Sequence, residues 1–302
     1  MLINKPLLDL AVRGFKTIYS DANLAAPSEF EKIAMPVQSL GPSGSRDETY
    51  GWIGNLPAMR EWIGQRVVNN LSAYGFTITN RKFELTVSVG REDIEDDRLG
   101  TFKPAFAEMG GMARRHPDEL IFELLKNGFT SPCFDGQNFF DTDHPVIGED
   151  GTTVTQVANT DGGAGAPWFL LDVSRAVRPI IWQERVKYEF QSLTDDSDEE
   201  VFFNDRYIYG VRARVNAGFG LWQLAWGSKQ TLNFANYASA RAQMQGFRAD
   251  GGRVLGVKPS VLVVAPSLEE AALKLLNSGN GSDGETDPWK GTAQLIVAPW
   301  LA

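Results

Sequence analysis

The order of apolar and polar positions divides the chain into helical and strand-like stretches. Apolar residues recur at helical spacing in four of them, which cover residues 7–19, 92–127, 233–248 and 268–276. Apolar and polar residues alternate in three others, which cover 76–89, 186–190 and 207–215. Two short apolar runs, 261–264 and 294–298, predict buried strands. Helices and strands follow each other without a repeating unit, so the pattern predicts an α+β fold.

The first 45 residues are predicted to be peripheral. Leu7, Leu8, Val12, Phe15 and Ile18 lie at helical spacing and indicate a short amphipathic helix. Residues 41–45, Gly-Pro-Ser-Gly-Ser, are typical of a turn or linker. Such a segment either docks on the body of its own chain or reaches to a neighbour.

Residues 46–91 carry aromatic side chains among glycines. Trp52, Trp62, Tyr74 and Phe76 lie close to glycines, and the stretch ends in the strand pattern of 76–89. We interpret it as an extended β-rich excursion, such as a long hairpin. An isolated hairpin has little core of its own. The aromatic rings are therefore expected to find cover only against another body.

Residues 92–127 predict a long helix with proline in its middle. Pro117 either kinks one helix or begins a second, and Gly128 is a plausible end. The following stretch, 131–167, is rich in loop residues, and the acidic run 195–200 is expected to be a solvated turn.

Composition narrows the class of protein. The chain has 302 residues, 43% of them hydrophobic and 22% charged, which is typical of globular proteins of about two domains. Its formal net charge is -9, and no cluster of Lys and Arg stands out. A dedicated nucleic-acid reader usually has a basic face, so tight charge-driven DNA binding is not expected.

The single cysteine, Cys133, excludes an intrachain disulfide. No window approaches the ~18 consecutive apolar residues of a membrane span, and the first residues lack the apolar core of a signal peptide. We therefore expect a soluble chain that is made in a cytoplasm and has no membrane partner.

Asp141, Asp143 and His144 are the sharpest candidates for chemistry, because two carboxylates and an imidazole could ligate a divalent metal. In an extended stretch, however, Asp141 and Asp143 share one face and His144 points away. A catalytic zinc site typically needs three convergent ligands. We favour the interpretation of a local turn before Pro145.

Other reactive residues lack the partners that catalysis needs. Cys133 would need a base, and His144 is the histidine nearest to it in sequence. His116 lies beside Pro117, where a structural or solvated role is expected. No phosphate-binding loop, nucleophile elbow or EF-hand is found. The residues predict no catalytic site, no metal site and no cofactor.

A resemblance to a known family runs along nearly the whole chain and is carried by the stretches 48–54, 60–64, 80–84, 87–97, 116–120, 125–129, 135–145, 168–172, 209–211, 218–223 and 262–266. In these stretches the chain resembles the major head subunit family of Mu-like phages.

This resemblance implies the capsid fold of tailed phages, of the Hong Kong 97 type. That fold has an N-terminal arm, an extended loop, a peripheral domain with a spine helix, and an axial domain. We assign the arm to 1–45, the extended loop to 46–91 and the peripheral domain to 92–130 and 168–230. Residues 231–302 are assigned to the axial domain, and 131–167 remain unassigned.

The resemblance also implies a structural protein without enzymatic activity. Its copies would form hexamers and pentamers of an icosahedral head around packaged double-stranded DNA, with non-specific DNA contact. A scaffolding protein, a portal and a decoration protein are the implied partners, and the virion, made in a bacterial host, is the implied location. Candidate residues for contacts between subunits are Trp62, Arg66, Tyr74, Phe76, Arg81 and Lys82.

Two alternatives remain open. One is a metal-dependent hydrolase that uses Asp141, Asp143 and His144, and the other is a structural protein of the tail or baseplate. Metal content and turnover would distinguish the hydrolase, and particle shape would distinguish the tail protein.

Overall fold

The computed structural model describes residues 5–38, 47–50, 75–96, 98–195, 197–277 and 288–302. Seven α-helices lie in these ranges: α1 (Lys5–Ala25), α2 (Phe30–Ile33), α3 (Arg91–Glu95), α4 (Leu99–Asn127), α5 (Glu199–Asn204), α6 (Phe234–Gly246) and α7 (Glu269–Asn277). The strands are β1 (Ala34–Gln38), β2 (Asp47–Tyr50), β3 (Phe76–Thr79), β4 (Arg81–Gly90), β5 (His144–Ile147), β6 (Val154–Val157), β7 (Thr160–Gly163), β8 (Trp168–Leu171), β9 (Ile180–Leu193), β10 (Arg206–Phe219), β11 (Ala225–Lys229), β12 (Val261–Val264) and β13 (Gln294–Val297). The predicted α+β class is confirmed.

A four-stranded sheet in the order β1-β9-β10-β4 forms one half of the fold. β9 and β10 are antiparallel strands of 14 residues each, and β4 pairs antiparallel with β10. Tyr207, Tyr209 and Val211 alternate with more exposed residues, because successive side chains of a strand point to opposite faces. Their face packs on α1 and α4, and the opposite face is called the outer face below.

Helix α4 continues through Pro104 and Pro117 without a break. The structure therefore has one helix where the sequence left open a second helix beginning at Pro117. The predicted helical stretch is not continuous at its start, however, since α3 ends at Glu95 and α4 begins at Leu99.

The N-terminal helix docks on its own chain. α1 packs along α4, with Leu8 and Phe15 buried, and the helices approach closely at Gly110. A Cβ atom at Gly110 would lie 2.3 Å from the backbone oxygen of Tyr19, so no larger residue fits there without movement. The Asn23 side-chain amide also donates to the Gly110 carbonyl at 3.1 Å.

A five-stranded sheet in the order β13-β12-β8-β11-β7 forms the other half. Every residue of β8 and β12 is buried, which is typical of strands covered on both faces. Helices α6 and α7 pack beside it, and Asn233 caps α6 by accepting from the Asn236 backbone N–H. β8 and β11 pair in one sheet with β12, so the boundary predicted between 168–230 and 231–302 divides this sheet.

Two predicted loop stretches contain short regular elements. Residues 131–167 include the β5–β6 hairpin and β7, and the acidic run expected to be a turn ends in the first two residues of α5. Among the described helices, none combines the length and the apolar character that crossing a lipid bilayer would require.

Candidate functional site

The turn at 141–144 is built from local hydrogen bonds. The Asp141 carboxylate accepts from the backbone N–H of Asn138 and Thr142, at 3.2 and 2.7 Å, and from the Asn138 side chain at 3.0 Å. The Asp141 N–H donates to the Asn159 side-chain oxygen at 2.9 Å. The chain bends at Thr142, and the Asp141 carboxylate is occupied by donors from nearby residues, as a local turn would require.

The His144 side chain lies in the core of the subunit. Its side chain is fully buried, and its ring stacks on Trp222 with the centroids 4.0 Å apart. Nδ1 lies 2.7 Å from an Asp135 carboxylate oxygen, and Nε2 lies 3.3 Å from the Asn159 side-chain oxygen. The His144 ring is therefore directed to Asp135 and Asn159 and not to Asp141.

A buried polar cluster forms instead around Asp135. The Cys133 thiol donates to one Asp135 oxygen at 3.1 Å, and His144 contacts the other. The ligand atoms of Cys133, Asp135 and His144 all lie within 4.8 Å of one another. Sequence reasoning considered His144 as a base for Cys133 but missed Asp135. The signal it could have used is the Asp135-Gly136 turn, where Gly136 has a φ of 88°.

The geometry of this cluster does not fit thiol catalysis. A catalytic thiol needs a base beside it, but here the carboxylate lies between Cys133 and the imidazole. Burial, together with the negative charge of Asp135, raises the pKa of the Cys133 thiol far above its ordinary value. The thiol is therefore protonated at neutral pH and is a poor nucleophile.

Asp135 is the ionised centre of the cluster. Burial alone would raise its pKa, but the hydrogen bonds from His144 and Cys133 outweigh burial and hold the pKa below its ordinary value. One oxygen also accepts from the Gln137 N–H at 3.1 Å. Protein donors thus occupy both oxygens at direct hydrogen-bond distances, and the cluster joins the 131–137 loop to β5.

His116 has a structural role in the described contacts. Its Nδ1 lies 2.6 Å from the Tyr188 hydroxyl, and its ring meets Phe83 edge-on. Burial lowers the pKa of His116, and Arg81 lowers it further against the opposing effect of Glu119. A neutral imidazole can accept from Tyr188, so His116 joins α4 to β9.

The base of the predicted excursion is anchored to the body. β2 and β3 pair over four residues. The Tyr50 hydroxyl donates to the Gln183 side chain at 2.8 Å, and Gln183 donates to the Ile78 carbonyl at 3.2 Å. Residues 51–74 connect these strands, so Trp62, Arg66 and Tyr74 lie outside the described residues.

The remaining contact candidates lie on β3 and β4. Phe76 is half-buried against the core of its own subunit, so the expectation that its ring finds cover only on another body is wrong. β4 belongs to the four-stranded sheet and not to the hairpin. The Arg81 guanidinium lies 5.1 Å from the Phe83 ring centroid, and Lys82 is exposed in register with Arg214.

Comparison with known sequences decides the family. The sequence model of the family described as Mu-like prophage major head subunit gpT matches residues 8–301. The chain belongs to the Mu-like major head subunit family. It is 45% identical over 284 residues to the major capsid protein of Escherichia phage Mu, with 91% of this chain and 92% of that relative covered. It is also 42% identical to the Mu-like prophage FluMu major head subunit of Haemophilus influenzae, with 87% and 86% covered.

Solved capsids share the fold of this major head subunit. The procapsid of bacteriophage JBD30 matches with a TM-score of 0.87 and 43% identity, covering 99% of this chain and 100% of that one. The JBD30 capsid matches with a TM-score of 0.77 and 32% identity, covering 94% of each chain.

The chain is thus a major capsid protein of a Mu-like phage, with the tailed-phage capsid fold of the Hong Kong 97 type. It is a structural, non-enzymatic component of the virion that self-assembles into the shell of the head.

Proposed function

We propose that this subunit forms hexamers and pentamers that close an icosahedral head around double-stranded DNA. The observation that carries the proposal is the match to capsid subunits along residues 8–301, together with likeness to the JBD30 procapsid over 99% of the chain. The net charge of -9 supports a DNA contact that is weak and independent of sequence.

Contacts between subunits are proposed to involve Trp62, Arg66, Tyr74, Phe76, Arg81 and Lys82. The anchored β2–β3 base supports this proposal, because it holds Tyr50 and Phe76, on either side of residues 51–74, against the body of the subunit. Phe76 would contribute to a neighbour only the part of its ring that its own subunit leaves open. Arg81 and Lys82 would contribute charge, which adds specificity more than affinity.

The substitution Trp62→Ala tests this contact. We expect subunit secondary structure and subunit unfolding to change little, while shells fail to form or fall apart at lower temperature. A large buried aromatic side chain contributes on the order of 1.5–3 kcal/mol, and the loss recurs at every subunit of a closed shell.

Sedimentation and negative-stain microscopy measure shell formation, and circular dichroism of the unassembled subunit serves as the control. If the isolated subunit unfolds and no separate assembly defect remains, Trp62 belongs to the core of its own subunit and the proposed contact is wrong.

The division into domains is also a proposal. We assign the N-terminal arm to 1–45 and the extended loop to 46–91, with the spine helix within 92–130 in the peripheral domain. The strand order supports grouping β7, β8 and β11 with the axial residues 231–302, because these strands share one sheet with β12 and β13.

Scaffolding, portal and decoration proteins are proposed partners. Support for the last comes from a relative, since one matching structure is the JBD30 capsid decorated with minor capsid protein trimers, at a TM-score of 0.76. Co-purification of such proteins with assembled heads, and their loss from unassembled subunits, would test this set.

A further inference from the structure

Two adjacent aromatic side chains project from the end of the β9–β10 hairpin. Phe202 and Phe203 lie on α5 and are 74% and 72% exposed. Their rings meet edge-on, with the centroids 5.2 Å apart. The other exposed large apolar side chains of the described residues are aliphatic. Exposed aromatic rings that stand side by side are typical of protein interfaces.

The helix that carries these rings is held in place. Val201 is buried in the core beneath α5. Asp205 ends the helix with a φ of 47°, and its carbonyl accepts from the Arg91 N–H at 3.0 Å. Glu200 accepts from Arg206 at 2.8 Å. The two rings are therefore presented by an ordered element.

The surroundings of the rings are acidic. Asp198 and Glu199 lie about one helical turn before them, and the acidic run begins at Asp195. We call Phe202 and Phe203, with Asp198 and Glu199, the aromatic tip. Two such tips carry like charge, so a tip-to-tip contact would be opposed by repulsion. A surface with positive charge is the better partner.

The outer face of the four-stranded sheet offers such a surface. A depression of about 640 Å³ lies around Gly210, where a strand residue has no side chain. Leu193 and Ile208, which face each other in register, form its apolar wall near the tip. Arg212 and Glu84, which face each other in register, line its other end.

Positive charge continues beyond this depression. Lys82 and Arg214 face each other across β4 and β10, and we call them, with Arg212, the basic row. Arg212 stands in register with Glu84 and Glu189, so its own charge is partly balanced. Lys82 and Arg214 form no ion pair with another described residue, and the Arg214 Nε has no hydrogen-bond partner among them.

We propose that the aromatic tip of one subunit docks on the outer face of the four-stranded sheet of a second copy, with its rings in the Gly210 depression and its carboxylates toward the basic row. This inference rests on the proposed function, since it requires that copies assemble. Every copy presents both surfaces, so the contact can repeat from subunit to subunit. A depression with an apolar wall, with Lys82 and Arg214 beyond its far end, matches an aromatic tip with an acidic edge.

The double substitution Phe202→Ser and Phe203→Ser tests the aromatic part. We expect shell yield in sedimentation to fall by about tenfold or more, because clustered aromatic rings often dominate an interface. The melting temperature of the unassembled subunit should not fall, because both rings are exposed. The matched control is Leu24→Ser, at a side chain that is 83% exposed on α1, and it should assemble normally.

A charge exchange tests the orientation. Glu199→Lys and Lys82→Glu each place like charges together and should each reduce assembly. The double variant restores opposite charges and should recover much of the yield. Both positions are exposed, so neither substitution disturbs the core.

The outcomes separate this contact from the proposed function. A wild-type subunit that forms no shells with its scaffold refutes the function itself. If the wild type assembles, two results refute the docking of the tip alone. One is a serine variant that assembles equally well, and the other is a serine variant whose unassembled subunit melts at a lower temperature. A charge-exchanged double variant no better than the worse single variant refutes the basic row as its receptor.

Discussion

The two sheets of this capsid subunit differ in how much of their surface the subunit itself covers. In the five-stranded sheet, every residue of β8 and β12 is buried. In the four-stranded sheet, β4 and β10 alternate between covered and more exposed positions, and the helices cover only one face. Among the described residues, both faces of β8 and β12 are covered, whereas one face of β4 and β10 stays more exposed.

The polar side chains near the two sheets differ in a similar way. Near the five-stranded sheet, buried polar groups find partners in the interior, since Asp135 accepts from His144 and the Asn159 amide donates to the Phe139 carbonyl. On the outer face of the four-stranded sheet, Lys82 and Arg212 stand exposed. The first arrangement stabilises one subunit, and the second is available to set contacts between subunits.

The largest expected effect comes from the five-stranded sheet. Phe169 on β8 is fully buried and stacks with Phe140 at 5.3 Å. Phe169→Ala should lower the free energy of unfolding of the subunit by about 3–5 kcal/mol, because it leaves a cavity in a packed core. Denaturant unfolding followed by circular dichroism measures this change.

Thr86→Ala, on the open face of β4, is the matched control. Its side chain is exposed, and surface substitutions usually change stability by no more than about 0.5 kcal/mol. Equal losses at Phe169 and Thr86 would contradict the distinction between the covered strands of one sheet and the more exposed face of the other.

The helices and strands that the sequence predicted correctly are those in which apolar residues recur at regular spacing. The β12 run, α6 and the stripe of α4 all lie where apolar spacing indicated, because burial on one or two faces leaves a direct trace in the sequence. The break between α3 and α4 was missed, although Ile94 and Leu99 on its two sides are five positions apart and not at helical spacing.

The spacing of apolar residues could not predict which distant strands pair with each other. β4 looked like part of an excursion because its alternation fits any half-buried strand, whether in a hairpin or in a sheet. Its partner, β10, lies more than a hundred residues later. Likewise, Asp135 and His144 are nine residues apart, and only the fold brings their side chains together.

An intermediate effect should come from the buried polar cluster. Asp135→Asn should reduce the free energy of unfolding at neutral pH by about 1–3 kcal/mol, because an amide cannot accept from His144, Cys133 and Gln137 as the carboxylate does. Chemical denaturation of the two proteins at pH 7 measures the difference.

The same substitution should change the pH dependence. The pKa of Asp135 is lowered in the folded state, so its contribution is complete above the unfolded value of about 3.9 and is lost as pH falls through the folded pKa. The stability curves of wild type and Asp135→Asn should therefore converge below about pH 4. A difference that stays constant on acidification would mean that Asp135 is not ionised in the fold.

The smallest effect is expected at Asp143, on the surface side of the same region. Burial and the neighbouring Asp141 raise the pKa of Asp143. Burial also acts to raise the pKa of Asp141, but hydrogen bonds, one of them with Asp143, outweigh it and hold that pKa below its ordinary value. The two carboxyl groups thus contact each other, and Asp143 is protonated more readily than Asp141. An asparagine amide donates permanently in that position.

Asp143→Asn should therefore leave particle yield and subunit melting nearly unchanged, and it should make the turn less sensitive to pH. Negative-stain counts of particles and elemental analysis of purified protein measure both sides of this expectation. If zinc or manganese were present in stoichiometric amount and lost on this substitution, the turn would be a metal site. Asp143 would then belong neither to the buried polar cluster nor to the exposed sheet face, and the comparison would have to include a separate metal-binding region.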